Sequence, residues 1–284
     1  MLSNNQPTKL NHLFNSSSKD YKVAVLIPAY NCQESLIVTL KSFDKSFPVY
    51  IFIVDDGSKM PISINEADFY PHKIEIHHKK ANSGIEDTLR LGVEIIHNHG
   101  FEFFARIDAG DTCKNNRFKL QYDYMNTNPN IAWLGGSADI VDCNTRQTQF
   151  TLHLPQQSLA IKKYFFLRSC YMHPALMFRT KCVIDAGNYA KNYIAAEDMD
   201  LLLRIMKKHK SYANLADIII DYEVNPDGIS ANKRKIQIQS TLKLQLKYYD
   251  AFNIYWYLGV IKNITHFILP AKFIYRIKAY IFGR

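Results

Sequence analysis

Phe103-Phe104-Ala105-Arg106-Ile107-Asp108-Ala109-Gly110-Asp111 is an apolar run that stops abruptly at two carboxylates. The run reads as a buried strand, and the acids fall at its carboxyl end. In an open α/β sheet that end is where ligands bind. Two acids held together repel each other unless a cation sits between them. Hard oxygen ligands in a short loop suit Mg²⁺ or Mn²⁺, ions that usually arrive with a phosphorylated substrate. An Asp-Gly turn that needs no ligand accounts for the same residues. Other segments must choose between the two.

Working outward, Val23-Ala24-Val25-Leu26-Ile27 is a second continuous apolar run, stopped by Pro28. Tyr50-Ile51-Phe52-Ile53-Val54 is a third, stopped by Asp55-Asp56-Gly57-Ser58. Runs without polar alternation are expected of parallel strands covered on both faces. Glu34 to Phe43 has helical spacing at Leu36, Leu40 and Phe43, and Ile74–His77 is a shorter strand. Ser83-Gly84 opens a helix through Leu89 and Val93 to Ile96. The order β-α-β-β-α-β predicts an α/β fold, a Rossmann-like, mostly parallel sheet with helices on both faces. Further along, Phe118–Met125, Leu159–Phe166 and Asp198–Lys208 read as helices, and Ile131–Gly136 as a strand. Residues 235–250 alternate like a strand yet are long and Lys/Gln-rich, and are assigned to a helix.

The 284 residues are 47% hydrophobic, enough for a buried core and too many for a disordered chain. Of 35 Lys/Arg and 26 acids, Gly228–Arg284 holds ten bases and one acid, Asp250. The remainder is balanced at twenty-five of each, so the formal charge of +9 belongs to the C-terminal segment. A neutral body with a basic tail argues against a nucleic-acid groove. The five cysteines, Cys32, Cys113, Cys143, Cys170 and Cys182, show no C-x-x-C spacing. That fits neither a disulfide framework nor a zinc site, and suits a reducing compartment. The first twenty residues are polar, which predicts a mobile lead-in rather than a secretory signal. No run approaches the ~18 apolar residues of a transmembrane helix.

Four loops carry candidate chemistry. Pro28-Ala29-Tyr30-Asn31 can turn its backbone toward a ligand or be an ordinary strand-to-helix turn. In Asp55-Asp56-Gly57-Ser58, Gly57 permits positive φ and so lets the acids fold back over the strand end. There an acid can accept from a base N–H or a ribose hydroxyl, or simply cap a turn. Asn82-Ser83-Gly84 can cap the helix that follows. Glu197-Asp198-Met199-Asp200 opens an amphipathic helix. The helix dipole explains one acid there, whereas three exceed what a cap needs. One of them suits a general base. His173-Pro174 is a polar wall of the cleft or a structural histidine.

Together these segments resemble the family 2 glycosyltransferases, enzymes of GT-A fold that build bacterial surface polysaccharides. The match runs through Val25–Asn31, Ile53–Ser58, Asn82–Gly84 and Ala105–Asp111. It continues through Asn116-Arg117-Phe118 with Gln121, His173-Pro174, Gly187-Asn188-Tyr189 and Glu197–Asp200, in family order. The resemblance implies a nucleotide-sugar donor, commonly a UDP-sugar, held by Pro28, Tyr30, Asp55, Asp56, Asn82, Arg106 and Asp108. It implies Mg²⁺ or Mn²⁺ on Asp108 and Asp111, although Gly110 stands where the family's Asp-x-Asp has its second acid. Asp198 matches the catalytic base, with Glu197 and His173 on the acceptor side. The implied reaction is inverting transfer to a hydroxyl of a glycan or lipid-linked oligosaccharide. The implied layout is a catalytic domain over 21–225, with a donor half to about 112 and an acceptor half beyond it.

Residues 226–284 are expected to form a helical tail. Ala251–Arg284 interleaves Lys262, Lys272, Arg276, Lys278 and Arg284 with many large apolar residues and has no acid. That composition suits a helix lying in a membrane interface, which predicts a peripheral enzyme on the cytoplasmic face. A helix pair packed on the catalytic domain with a solvated basic face is the competing expectation. A nucleotidyltransferase would share the paired acids but calls for a Gly/Arg/Lys-rich triphosphate loop, absent at Pro28–Asn31. A non-catalytic nucleotide-sugar-binding protein is favoured by Gly110 and opposed by Glu197-Asp198.

Overall fold

The computed structural model of the chain describes residues 20–224 and 233–269. Its N-terminal half follows the predicted order: β1 (Ala24–Ala29), α1 (Gln33–Lys41), β2 (Tyr50–Asp55), β3 (Lys73–His78), α2 (Ile85–Asn98) and β4 (Phe103–Arg106). All four strands run parallel in the order β3-β2-β1-β4. Every residue of β1, β2 and β4 is buried. Their side chains divide by period two between two cores. Leu26, Phe52 and Phe104 face α2, packed with Leu89 and Val93. Ile27, Ile53 and Ala105 face the other way, with Leu36, Leu40 and Phe118. Both faces are therefore apolar, which is why these strands carry no polar alternation.

The second half continues the sheet with β5 (Thr112–Cys113), α3 (Arg117–Thr127), β6 (Trp133–Asp142), β7 (Thr148–Leu152), α4 (Ser158–Tyr164), β8 (Met177–Arg179), α5 (Thr180–Asp185), α6 (Glu197–Lys208) and β9 (Ala213–Val224). Strand β8 joins β4 antiparallel, then come β6, β9 and β5, with β7 on the flank of β6. The pairs β6–β9 are parallel with irregular register at Gly136–Ala138. That irregularity breaks the period of β9, which sequence pattern alone does not reveal. The chain closes with α7 (Arg234–Lys247) and α8 (Ile254–Ile268). Residues 235–250 are thus helical over most of their length. The lead-in 1–19 and the tail residues 270–284 lie outside the described residues.

Two buried side chains join the halves behind the strand ends. Arg117 donates through Nη2 to the Arg106 carbonyl at 2.7 Å and through Nε to Gln121 Oε1 at 3.0 Å. Gln121 donates to the carbonyls of Leu134 and Ala175 at 2.8 and 2.9 Å. These bonds hold the end of β4 against β6 and the turn at His173–Ala175.

Candidate active site

The predicted donor residues collect at the carboxyl ends of β1, β2 and β4. Asp55 ends β2 with its carboxylate buried. Oδ1 accepts from Ser58 N and Oγ at 3.0 and 2.5 Å, and Oδ2 lies 2.9 Å from His78 Nδ1. Burial opposes its charge, yet the Ser58 and His78 contacts win and hold its carboxyl below the usual range. Asp56 points toward the third strand. It accepts from Lys79 Nζ at 2.5 Å and from the amides of Ser83 and Gly84, both at 3.0 Å. Asp56, and not Asn82, therefore satisfies the amides ahead of α2. The N-cap position itself is Gly84, without a side-chain cap. Asn82 is exposed at the rim.

Gly57 does take positive φ, +73°. A Cβ there would stand 2.7–2.9 Å from the backbone of Ala81 and Asn82. The Asp55–Ser58 loop and the Asn82 loop are thus one packed unit. Tyr30 stands beside it with its ring 47% exposed, and Pro28 is buried inside β1. Asn31 ties the first loop to the second, its amide donating to Ser58 Oγ at 2.8 Å.

Arg106 is buried at the centre of the cleft. Nη2 pairs with Asp108 Oδ1 at 2.5 Å, while Nε and Nη1 have no hydrogen-bond partner. Asp108 keeps a partly exposed carboxylate. Asp111 is buried, with Oδ1 accepting from the Glu223 amide at 2.8 Å and Oδ2 unpartnered. Burial first, and Asp108 second, push its acid well above the usual range. Thr39 secures the loop by donating to the Asp111 carbonyl at 2.8 Å and accepting from Gly110 N at 2.8 Å.

Gly110 has φ +110°, and a Cβ on it would meet the Glu223 carboxylate at 3.2–3.4 Å. The place of the family's second acid is thus taken up by a glutamate from β9. Arg146 holds that glutamate, its Nη1 bonded to Glu223 Oε2 at 2.7 Å and to the Gly110 carbonyl at 2.9 Å. Among the described residues no three His, Cys, Asp or Glu side chains group as a complete metal site. Asp108 and Asp111 nonetheless fit Mg²⁺ or Mn²⁺. They offer hard oxygens, one of them buried and unsatisfied, and such ions take one or two carboxylates with phosphate oxygens completing the shell.

The opposite wall is built by α6. Glu197 is buried with Oε2 unpartnered. Burial, then Asp198 beside it, pushes its acid up to about 8. Asp198 is only partly buried, and Oδ1 accepts from Met199 N at 2.7 Å. Burial raises its acid too, opposed by the Met199 amide, Arg106 and a hydrogen bond from Tyr171. Asp200 is excluded as a base, since it is buried and paired with Arg204 Nε at 2.9 Å. His173 is buried and hydrogen-bonded to the Tyr189 hydroxyl at 2.8 Å. Burial and the nearby Arg106 keep it neutral.

The profile of Glycosyl transferase family 2 matches residues 24–185, more than half of the chain. The chain belongs to glycosyltransferase family 2. Among relatives of this transferase is the amylovoran biosynthesis glycosyltransferase AmsE of Erwinia amylovora, 28% identical over 78% of this chain and 83% of its own. Another is the UDP-Gal:alpha-D-GlcNAc-diphosphoundecaprenol beta-1,3-galactosyltransferase of Escherichia coli, 25% identical over 89% and 93%. The fold is shared with S. aureus TarS 1–349 in complex with UDP-GlcNAc, at TM-score 0.62 and 14% identity over 86% of this chain and 72% of that one. It is shared also with the mannosyltransferase PcManGT of Pyrobaculum calidifontis in complex with GDP-Man and Mn²⁺, at TM-score 0.57 and 12% identity over 87% and 69%.

Family membership sets aside the nucleotidyltransferase reading. The structure also brings to these loops residues that the sequence does not single out. Lys79 bonds Asp56, Ser83 and Thr88. In the sequence it is one of two lysines after a strand and reads as solvated charge. Thr39, Tyr171, Arg146 and Glu223 come from distant elements with no motif around them. The five cysteines are all free thiols.

Proposed function

We propose that this glycosyltransferase moves a sugar, with inversion, from a UDP-sugar to a hydroxyl of a lipid-linked oligosaccharide in surface-polysaccharide synthesis. The observation that carries the proposal is Arg106. Its one buried charge acts on Asp108 and Asp111 at one wall of the cleft and on Asp198 at the other. A leaving diphosphate and an attacking hydroxyl need that arrangement, with the reacting carbon between them.

Asp55 and Asp56 accept hydrogen bonds from the base and ribose, and the exposed Tyr30 ring lies along the base. The two unpartnered Arg106 N–H groups donate to the diphosphate. Asp198 takes the acceptor hydroxyl's proton as its oxygen attacks the anomeric carbon from the face opposite the diphosphate. The bond to the diphosphate oxygen breaks, its electron pair leaves with that oxygen, and the carbon inverts in one displacement. Glu197, protonated at neutral pH, donates a hydrogen bond on the acceptor side beside neutral His173. Mg²⁺ or Mn²⁺, held by Asp108 and Asp111, would supply Lewis-acid stabilisation of the diphosphate.

The donor and acceptor classes follow those in the name of the E. coli relative. In this proposal residues 21–112 hold the donor, 113–225 the acceptor, and 251–284 contact the inner face of the cell membrane. The described residues include no helix long and apolar enough to cross a membrane. Asp198→Asn tests the base: UDP binding is expected to persist while transfer falls by ~10² or more. Transfer near the wild-type rate would remove Asp198 from the mechanism.

A further inference from the structure

Helix α8 is turned inside out. Its inward face carries polar contacts to α7. Trp256 donates its indole N–H to the Gln245 carbonyl at 3.0 Å, and Asn263 Nδ2 donates to Gln245 Oε1 at 2.7 Å. Gly259 lies so close to the body that a Cβ would meet the Phe166 carbonyl at 2.6 Å. The face toward solvent is the apolar one. Ile254, Tyr257, Leu258, Ile261, Ile264 and Ile268 recur at helical spacing, with accessibilities from 37% at Tyr257 to 71% at Ile268. Phe252, just ahead of them, is fully exposed. A soluble helix would bury such a stripe.

We propose that this outward stripe, with Phe252, is a docking face for an anionic lipid surface. The proposal rests on the membrane reading above and names the residues that carry it. Charge selects the occupant. Gly228–Arg284 holds ten bases against one acid. Lys163 lies beside α8, 4.9 Å over the Tyr255 ring. A second copy docked symmetrically would bring two such basic segments together, whereas anionic headgroups neutralise them. Fifteen residues make a helix of about 22 Å, too short to span a bilayer and suited to lie in its interface. Helix α7, on which α8 packs, bonds the loop before Asp198 through Ser240 Oγ to the Ile194 carbonyl at 2.9 Å.

The experiment is co-sedimentation of full-length protein with vesicles of phosphatidylglycerol and phosphatidylcholine in equal parts. It compares wild type, the stripe variant Leu258→Gln/Ile261→Gln/Ile264→Gln, and the tail variant Lys272→Gln/Arg276→Gln/Lys278→Gln. UDP affinity and gel filtration accompany each. The stripe variant is expected to bind vesicles at least tenfold more weakly, with UDP affinity unchanged and both proteins monomeric. Wild-type vesicle binding by the stripe variant, with loss only in the tail variant, would overturn the stripe and leave the membrane reading standing. No binding by wild type would overturn both. A wild-type dimer that the stripe variant dissociates would assign the face to a second copy.

Discussion

At the scale of single residues the cleft concentrates acids that burial keeps hard to ionise. Glu197 is pushed from an ordinary 4.5 up to about 8, by burial and then by Asp198. A folded value above the unfolded one means that its contribution to stability is fully present below pH 4.5 and lost as pH rises through about 8. Glu197→Gln removes the titration. Between pH 5 and pH 9 its unfolding free energy is expected to fall less than that of wild type, by about 4 kcal/mol at ~1.36 kcal/mol per unit over the roughly three units up to about 8. Parallel melting curves for the two proteins would show that Glu197 does not bear the shift. Asp111 tests the metal. Asp111→Asn keeps an acceptor for the Glu223 amide and removes the charge. It is expected to need at least tenfold more Mg²⁺ or Mn²⁺ for transfer, and excess chelator to silence wild type. Full activity in chelator would make Gly110 and the Arg146–Glu223 pair the mark of a metal-independent enzyme.

At the scale of elements, close backbone contact joins side-chain bonds in positioning the loops. The loop after β2 packs on the loop after β3 with only the width of a glycine between them. Gly57→Ala adds a methyl 2.7–2.9 Å from three backbone atoms of Ala81 and Asn82 at a φ of +73°. The expected cost is about 2–3 kcal/mol by denaturant unfolding, together with a weaker donor affinity. Wild-type stability would show that the two loops part freely. Positive φ at Gly57 is legible in Asp-Asp-Gly-Ser, because an acid pair ending a strand must turn back. The partner of that turn is not legible, since Ala81 and Asn82 carry no pattern. Strands β5, β7, β8 and β9 are likewise hidden. They are short or irregular in register, and their side chains face mixed surroundings instead of one core.

At the scale of the whole molecule, a neutral catalytic body carries a basic, outwardly apolar end. Vesicle binding by the full chain is expected to weaken from about 0.1 M to about 1 M salt, as screening shortens from ~10 Å to ~3 Å, yet not to vanish. In the proposal above, the ion-independent remainder comes from the apolar stripe. Complete loss at high salt would mean that charge alone holds the protein at the surface. Helices α7 and α8 pack on the body, α7 through Ser240 on the Ile194 carbonyl and α8 through Gly259 against Phe166. The exposed side of α7 carries Lys235, Lys243 and Lys247, whereas that of α8 is apolar.

The sequence by itself determined the parallel half-sheet, the family and the ring of acids at the strand ends. These follow from contiguous residues: an apolar run covered on both faces, then a polar stop. Only the tertiary structure decided what each acid does. Asp200 is spent on Arg204, Asp56 orders the lead into α2, Asp111 is buried with one oxygen unmet, and Glu223 stands at Gly110. The environment of a carboxylate is set by groups that are distant along the chain and adjacent in space. Burial and charge there shift its proton affinity, and no local pattern encodes them. The same reason hid the orientation of α8, since periodicity defines a stripe but the bonds of Gln245 choose which way it faces.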